Sequence, residues 1–300
     1  KSVCSVEDAP KLIETKYVTI TIPDSVKKIN ADAFEYCETI EKIELSKNIE
    51  SIEENAFKEC RSLIEIIIPN SVTFIGASSF YMCQKLAKVT IPSSVESIGK
   101  QSFYGCINIE EIIIEAPIKI IPKESFKDCE KLKQITFPSS VTTIENSAFD
   151  GCSSLIEIDI SNVNSIGLSA FRGCKSLTTI SISSNIKEIQ SFTFCECSSL
   201  TEINIPTSVE SIGSFAFSQC KSLKQVTVPS SVTTINDYLF SDCSLLENVK
   251  ISSKVTFIGE GAFSNCYALS EIKLPSSLTS IEEKAFYSCS SLKEINIHSS

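Results

Sequence analysis

The sequence predicts a repeat solenoid, a single stack of about twelve coils of 23 residues, and three periodic features support this prediction. Phenylalanine recurs from Phe34 to Phe286 at intervals of 23 residues, except for one interval of 22 between Phe149 and Phe171. A cysteine follows each of these phenylalanines three positions later, without exception. Leu or Ile comes three positions after the cysteine, and two Ile or Val residues in alternation usually follow.

The alternating segment of each coil, as in Ile66 and Ile68 or Ile203 and Ile205, is typical of a strand with one buried face. Proline follows this segment in many coils, where its missing N–H and fixed φ would end the strand ladder and turn the chain. These prolines are Pro69, Pro92, Pro138, Pro206, Pro229 and Pro275.

The segment A-F-x-x-C-x-x-L carries apolar residues three apart, which favours a single helical or 3₁₀ turn. A small residue usually precedes the phenylalanine, as at Ala56 and Ala216, and leaves room for the neighbouring coil. About six buried side chains per coil contribute roughly 1.5–3 kcal/mol each, whereas ordering the backbone costs about 1–2 kcal/mol per residue. We therefore expect the coils to be stable only when they stack, with stability a sum over neighbouring coils.

The fourteen cysteines are explained mainly by the repeat. Twelve of them occupy the one position near the phenylalanine, and free cysteine packs as a small hydrophobe, so we expect a ladder of buried thiols rather than a disulfide framework. Cys4 and Cys195 are off register. The run Cys195-Glu196-Cys197 is compatible with a metal or redox pair, or with a lone surface or semi-buried thiol beside a ladder cysteine.

Composition excludes several classes of partner. A net charge of −10 without a basic patch disfavours nucleic acid and anionic lipid. No apolar run approaches the roughly 18 residues of a membrane-spanning helix, so no membrane insertion is expected. The unpaired thiols and the absence of N-x-[ST] glycosylation triplets favour a reducing, cytoplasmic location.

The pattern A-F-x-x-C-x-x-L-x-x-I-x-I-P-x-S-V-x-x-I resembles the BspA-like, or Treponema-type, class of leucine-rich repeats. Clear copies begin at Ala216 and Ala262, and the resemblance covers about residues 18–298. It implies a right-handed leucine-rich-repeat β-solenoid, with a parallel sheet on the concave side and short helical or 3₁₀ turns on the convex side. Family members are often surface or secreted proteins implicated in adhesion to host proteins, and the resemblance implies no catalytic residues.

The domain organisation follows from where the pattern holds. Residues 18–300 are predicted to form one leucine-rich repeat domain of about twelve repeats, truncated at the C-terminus. Residues 1–17 are predicted to be a cap or a degenerate repeat, because Lys11 and Glu14 stand where phenylalanine and cysteine would be. The coil that contains residues 161–163 is one residue short.

The candidate partner-binding face consists of the positions on either side of the first alternating Ile, which point outward on the strand. It combines carboxylates with exposed Ile, and apolar side chains rimmed by charge are typical of protein-binding surfaces. A lone exposed Ile is also common on ordinary strands. The candidate residues are Glu65, Ile67, Glu111, Ile113, Glu157, Asp159 and Glu202.

The residues that could support catalysis are few. Glu157 and Asp159, two apart on one predicted strand, would place their carboxylates about 6.5–7 Å apart, near the spacing that glycosidases use. Nothing in the sequence would bury either group, and the chain contains no tryptophan. The only histidine, His298, lies near the C-terminus, which disfavours a Ser-His-Asp triad or a histidine metal site. We expect no catalytic residue, no cofactor and no metal.

These observations predict a non-catalytic module that binds a protein partner, a host extracellular protein or another subunit, through its strand face. The resemblance favours a secreted or cell-surface adhesin. An intracellular scaffold or a structural component of a larger assembly is the alternative, which the free thiols and missing glycosylation triplets favour.

Overall fold

The structure, a computed structural model, describes residues 18–296. The predicted cap at residues 1–17, with Cys4, and His298 lie outside the described residues. Contacts group the described residues into two units, residues 18–141 with 148–154, and residues 142–147 with 155–296. Each unit is a parallel β-solenoid, and the predicted fold class of about twelve stacked turns is confirmed.

Each coil of the first unit contributes to two ribbons of parallel strands. The first ribbon contains the alternating segment of the repeat, and the second ribbon contains the V-x-x-I segment that follows it. The first ribbon comprises β1 (Val18–Thr21), β3 (Ile40–Glu44), β5 (Glu65–Ile66), β7 (Lys88–Ile91), β9 (Glu111–Ile114) and β11 (Gln134–Thr136). The second ribbon comprises β2 (Lys28–Ile29), β4 (Ser51–Ile52), β6 (Phe74–Ile75), β8 (Ser97–Ile98) and β10 (Ile120–Ile121).

The second unit repeats this arrangement with a shorter first ribbon. Its first ribbon comprises β16 (Gln225–Thr227), β18 (Asn248–Lys250), β20 (Glu271–Lys273) and β22 (Glu294–Asn296). Its second ribbon comprises β12 (Thr143–Ile144), β13 (Ser165–Ile166), β14 (Glu188–Ile189), β15 (Ser211–Ile212), β17 (Thr234–Ile235), β19 (Phe257–Ile258) and β21 (Ser280–Ile281). The sequence predicted only the first ribbon, because a strand of two residues shows no alternation.

The strands pair at the length of the repeat. Val89 pairs with Ile112, and Ile112 pairs with Ile135, each partner 23 residues further along. In the short coil the offset becomes 22, and Ile144 pairs with Ile166. Because the pairing offset follows the repeat length, equivalent side chains of neighbouring coils lie directly beside one another.

The core of each unit is a ladder of phenylalanine rings. Eleven of the twelve, Phe34 to Phe263, are fully buried, and Phe286 of the last coil is half-buried. Neighbouring rings stack nearly parallel, as for Phe80 and Phe103 with centroids 5.1 Å apart and an interplanar angle of 8°. The predicted stacked core is therefore confirmed.

The ladder cysteines within residues 18–296 form no disulfides, as the sequence predicted. They are buried in the described coils except for the half-buried Cys37. The Cys60 Sγ donates a hydrogen bond to the Phe34 carbonyl of the preceding coil at 3.1 Å, and Cys83 makes the same bond to Phe57. The thiol therefore contributes a hydrogen bond between coils as well as apolar packing.

Cys195 is also buried, which differs from the surface or semi-buried thiol that the sequence allowed. It follows the ladder residue Phe194, and the equivalent positions of the next two coils, Ser218 and Ser241, are buried as well. In these coils small side chains at this position pack inside the stack rather than on its surface.

The segment around each phenylalanine is not helical, contrary to the expected helical or 3₁₀ turn. No helix is assigned within residues 18–296. The residues two before and two after the phenylalanine have positive φ, as at Asn55 (55°) and Glu59 (57°) around Phe57. A left-handed residue interrupts a right-handed helix, so each coil makes a series of separate turns.

These turns direct every second N–H toward the next coil. The N–H of Phe57 donates to the Ser79 carbonyl at 2.8 Å, whereas that of Lys58 donates within the turn to Asn55 at 3.0 Å. A left-handed conformation costs a non-glycine residue about 1–2 kcal/mol. The hydrogen bonds between coils satisfy the backbone groups and so compensate for this cost.

The strand-ending prolines begin the turns that the sequence predicted. The N–H of Val72 donates to the Pro69 carbonyl at 3.0 Å, and other proline coils repeat the bond. Three coils have a buried serine in place of the proline. The serine hydroxyl accepts a hydrogen bond from the N–H two residues later, as Ser46 does from Asn48 at 3.2 Å. Such a serine turn replaces the conformational restriction of proline by a hydrogen bond. The three serines are Ser46, Ser183 and Ser252.

Candidate functional site

The first-ribbon face of the first unit presents Glu65 and Ile67 to solvent. Glu65 lies in β5, pairs with Lys42 of β3 and is exposed. Ile67 directly follows this strand with 71 % of its surface exposed, and Ile64 on the same strand segment is 44 % exposed. The outward orientation expected of Glu65 and Ile67 is observed, and their role in binding stays a prediction.

Ile113 is half-buried rather than fully exposed. It lies in β9, the middle strand of a three-stranded ladder, and pairs with Thr90 on one side and Thr136 on the other. Side chains on both neighbouring strands cover part of its surface. Ile113 is therefore less exposed than expected. The sequence did not show that β9 has a neighbouring strand on each side.

Charges on this part of the face neutralise one another. The Lys88 Nζ lies 2.5 Å from the Glu111 carboxylate, and the Gln134 amide donates to the same group at 3.2 Å. The hydrogen bond from Lys88 is the main cause that lowers the pKa of Glu111. Lys42 and Glu44, two residues apart on β3, form a similar pair at 3.2 Å.

Glu157 and Asp159 of the second unit lie in no assigned strand, which corrects the sequence prediction. Both are exposed, and the alternating Ile158 and Ile160 are buried. The coil has one residue fewer between its leucine and its valine than the other coils, and it also lacks the proline. No strand forms at residues 155–160, and the same segment of the next two coils, which have the normal length, shows only isolated bridges.

The carboxylate of Asp159 is used in a turn. It accepts a hydrogen bond from the Ser161 N–H at 2.9 Å. This hydrogen bond turns the chain where a proline does so in other coils. The hydrogen bonds from Ser161 lower the pKa of Asp159. An exposed carboxylate that caps a turn and has a lowered pKa is poorly suited to act as a general acid.

Replacing Asp159 by alanine is expected to lower the free energy of unfolding by about 1 kcal/mol, because the Ser161 N–H loses its acceptor. Asp159→Asn keeps an acceptor oxygen and should retain most of the stability. Denaturant unfolding of the three proteins measures the difference. Equal losses in both variants would show that the charge, and not the turn, is what stabilises this coil.

The first ribbon of the second unit forms a shallow polar depression of about 460 Å³. It spans four consecutive coils and includes Glu202 from the candidate set, which bridges to Gln225. The other outward side chains are neutral amides and hydroxyls, apart from Lys250. The outward lining residues are Thr179, Ser181, Glu202, Asn204, Gln225, Thr227, Asn248 and Lys250.

Lys250 and the next coil's Glu271 and Lys273 are absent from the sequence-derived candidate set, although they occupy the same outward repeat positions. All three, and Glu202, are exposed. Within residues 18–296, none of these four side chains forms an ion pair shorter than 4.0 Å. The charges of this part of the face are therefore available to another molecule.

The remaining chemistry of the described chain is limited. Between residues 18 and 296, no three His, Cys, Asp or Glu side chains are grouped so that they could hold a metal ion. Over the same residues, there is no helix with the length and hydropathy needed to cross a bilayer.

Comparison with known proteins identifies the repeat. A family model described as a BspA type leucine rich repeat region matches residues 13–133, 96–209 and 187–300. The chain belongs to the BspA-type leucine-rich repeat family. A leucine-rich repeat protein from Bacteroides ovatus ATCC 8483 is 30% identical to this BspA-type chain, with a TM-score of 0.85 over 93% of this chain and 72% of that protein.

A leucine-rich cell surface protein from Faecalibacterium prausnitzii A2-165 is 26% identical to the BspA-type chain, with a TM-score of 0.63 over 95% of this chain and 89% of that protein. No curated protein matches the chain. BspA-type repeat families are generally non-catalytic, and membership is consistent with a protein-interaction module.

Proposed function

We propose that this BspA-type chain is a non-catalytic, adhesin-type module that binds a partner protein through its first-ribbon face at the cell surface. The partner is a host extracellular protein or another subunit. Family membership supports a protein-interaction role, and the similarity to a cell surface protein supports the location.

The exposed Ile67 is the observation that carries this proposal. Ile66 and Ile68 on either side of it are buried, so the strand geometry directs Ile67 outward. Burying a side chain of this size contributes roughly 1.5–3 kcal/mol, and the folded chain leaves that contribution unused. A partner protein that covers Ile67 would gain this burial free energy on binding. Glu65, next to Ile67 on the face, would orient the contact.

Replacing Ile67 by lysine is expected to weaken partner binding by about tenfold or more, because a charge then enters the apolar contact. Binding is measured against a panel of immobilised extracellular matrix and plasma proteins. The thermal unfolding midpoint should stay unchanged, since the side chain contributes little to the folded core.

Ile120→Lys is the matched control, because Ile120 is 46 % exposed on the second ribbon of the same unit. It should bind like the original chain. Equal binding by all three proteins would exclude the face around Ile67, and failure of the original chain to bind any protein of the panel would reject the adhesin role.

An intracellular scaffold stays the alternative function, because none of the thirteen described cysteines forms a disulfide. Burial raises the pKa of the ladder thiols, as for Cys83 and Cys106, so they remain protonated and unreactive. Shielded thiols of this kind persist in an oxidising environment as well. Localisation of the protein in intact and permeabilised cells distinguishes the two functions.

A further inference from the structure

The outward side chains of the second unit's first ribbon form two columns along the stack of coils. Apart from Glu294 of the last strand, the charged residues of the column before the central apolar residue are Glu202 and Glu271, and those of the column after it are Lys250 and Lys273. The paired strands hold this arrangement in register, as Thr227 pairs with Lys250. We call these four charged residues the polar strip, with one acidic and one basic column.

The polar strip differs from the equivalent face of the first unit in its electrostatics. Lys42 and Glu44, two residues apart on one strand, form an ion pair at 3.2 Å. Glu271 and Lys273 have the same separation along the chain and form no ion pair in the part of the chain that the structure describes. The strip therefore keeps two opposite rows of unneutralised charge beside a polar depression.

The spacing of the columns matches the spacing of side chains on an extended polypeptide. Residues i and i+2 of a strand lie about 6.6–6.8 Å apart on one face, and this distance also separates the two columns. A basic and an acidic residue at positions i and i+2 of a partner would thus face the acidic and the basic column at the same time.

We propose that the polar strip binds an extended segment of a partner protein that carries a basic and an acidic residue two positions apart. This proposal rests on the proposed protein-binding function and specifies the chemistry of the partner. Complementary charge gives the contact its orientation and speeds association, and the neutral amides and hydroxyls of the depression supply hydrogen bonds.

A polysaccharide is the less suitable occupant. Sugar rings are commonly held against aromatic side chains, and none of the residues that line the depression is aromatic. Two separated columns of opposite charge also have no counterpart in a neutral glycan. A segment with both charges matches them directly.

The test uses immobilised synthetic peptides of identical composition, each with one lysine and one aspartate among threonines. The two residues are placed at i and i+2 in one set and at i and i+3, on opposite faces of an extended chain, in the other. The original chain is expected to bind the first set on the order of tenfold more tightly, with a preference that weakens as salt is raised.

The neutralised variant carries Glu202→Gln, Glu271→Gln, Lys250→Gln and Lys273→Gln, which leave the net charge unchanged. Its control carries the same two types of substitution, each made twice, at exposed ion pairs outside the first ribbon: Lys27→Gln, Glu50→Gln, Lys187→Gln and Glu210→Gln. The preference should disappear in the neutralised variant and persist in the control.

Each other outcome overturns the proposal. A preference that survives neutralisation would place peptide binding elsewhere, and it would leave the proposed protein-binding function intact. Absence of any preference in the original chain, or binding to a glycan array that neutralisation abolishes, would exclude an extended segment as the occupant. The Ile67 experiment tests the first unit independently, so the two failures are distinguishable.

Discussion

Raising the pH is expected to unfold the protein cooperatively between about pH 9 and pH 10, because the buried thiols resist ionisation. Burial raises the pKa of the ladder thiols well above its ordinary value, and that of Cys289 in the last coil to about 11. Eight completely buried thiols have a raised pKa for this reason: Cys60, Cys83, Cys106, Cys129, Cys197, Cys220, Cys243 and Cys266.

The direction of the effect follows from proton binding. Below the ordinary thiol pKa of about 8.5, both states are protonated and the thiols add no pH dependence. Above it the unfolded chain loses protons that the folded chain keeps, so the free energy of unfolding falls as the pH rises. Each thiol contributes a decrease of about 1.4 kcal/mol per pH unit, and eight together contribute about 11 kcal/mol per pH unit.

Circular dichroism and thiolate absorbance, recorded together across the pH range, measure this transition. Most of the thiolate absorbance should appear only as the ordered structure is lost, because every described ladder thiol except the half-buried Cys37 is buried. Cys220→Ala removes one thiol and should reduce the slope by about 1.4 kcal/mol per pH unit. A free energy of unfolding that stays constant from pH 8 to pH 10 would contradict the buried thiol ladder.

Replacing Phe217 by alanine is expected to lower the free energy of unfolding by about 3–5 kcal/mol, as for other buried large-to-small changes. The ring is fully buried and stacks between Phe194 and Phe240, with both centroid distances at 5.6 Å. Its loss leaves a cavity that both neighbouring coils line. Chemical denaturation monitored by circular dichroism measures the change.

Phe215→Ala in the same coil is the matched control. Phe215 also stacks between two rings, Phe192 and Tyr238, at 4.8 Å from each, but it is only half-buried. Its removal should cost about 1–2 kcal/mol, since solvent already reaches part of the ring. If the two variants lose the same stability, the Phe217 ladder is not the principal core.

The role of the cysteine three residues after each phenylalanine was only partly predictable from the sequence. The strict period predicted a buried small side chain near each phenylalanine, and burial is observed. The hydrogen bond from Cys60 to the Phe34 carbonyl was not predictable, because its partner lies 26 residues earlier and depends on how the coils stack. This bond explains why a thiol, with a donor, occupies a position where an alanine would also be small enough.

The candidate binding face was only partly predictable. The period-two alternation identified Glu65 and Ile67 as outward residues, because alternation alone sets the direction of side chains on a strand. It did not predict the half-burial of Ile113, which depends on the strands on both sides. It also placed Asp159 on a strand, whereas no strand forms there and the Asp159 carboxylate accepts a hydrogen bond from the Ser161 N–H in a turn.

The repeat of 23 residues by itself determined the stacking of the coils, the pairing offset and the composition of the core. It could do so because identical spacing aligns equivalent apolar positions in every turn. Only the tertiary structure decided the left-handed turns at residues such as Asn55, the second ribbon and which charges form ion pairs. The left-handed turns, the second ribbon and ion pairs such as Lys88–Glu111 depend on contacts between residues about 23 positions apart, and local sequence does not specify them.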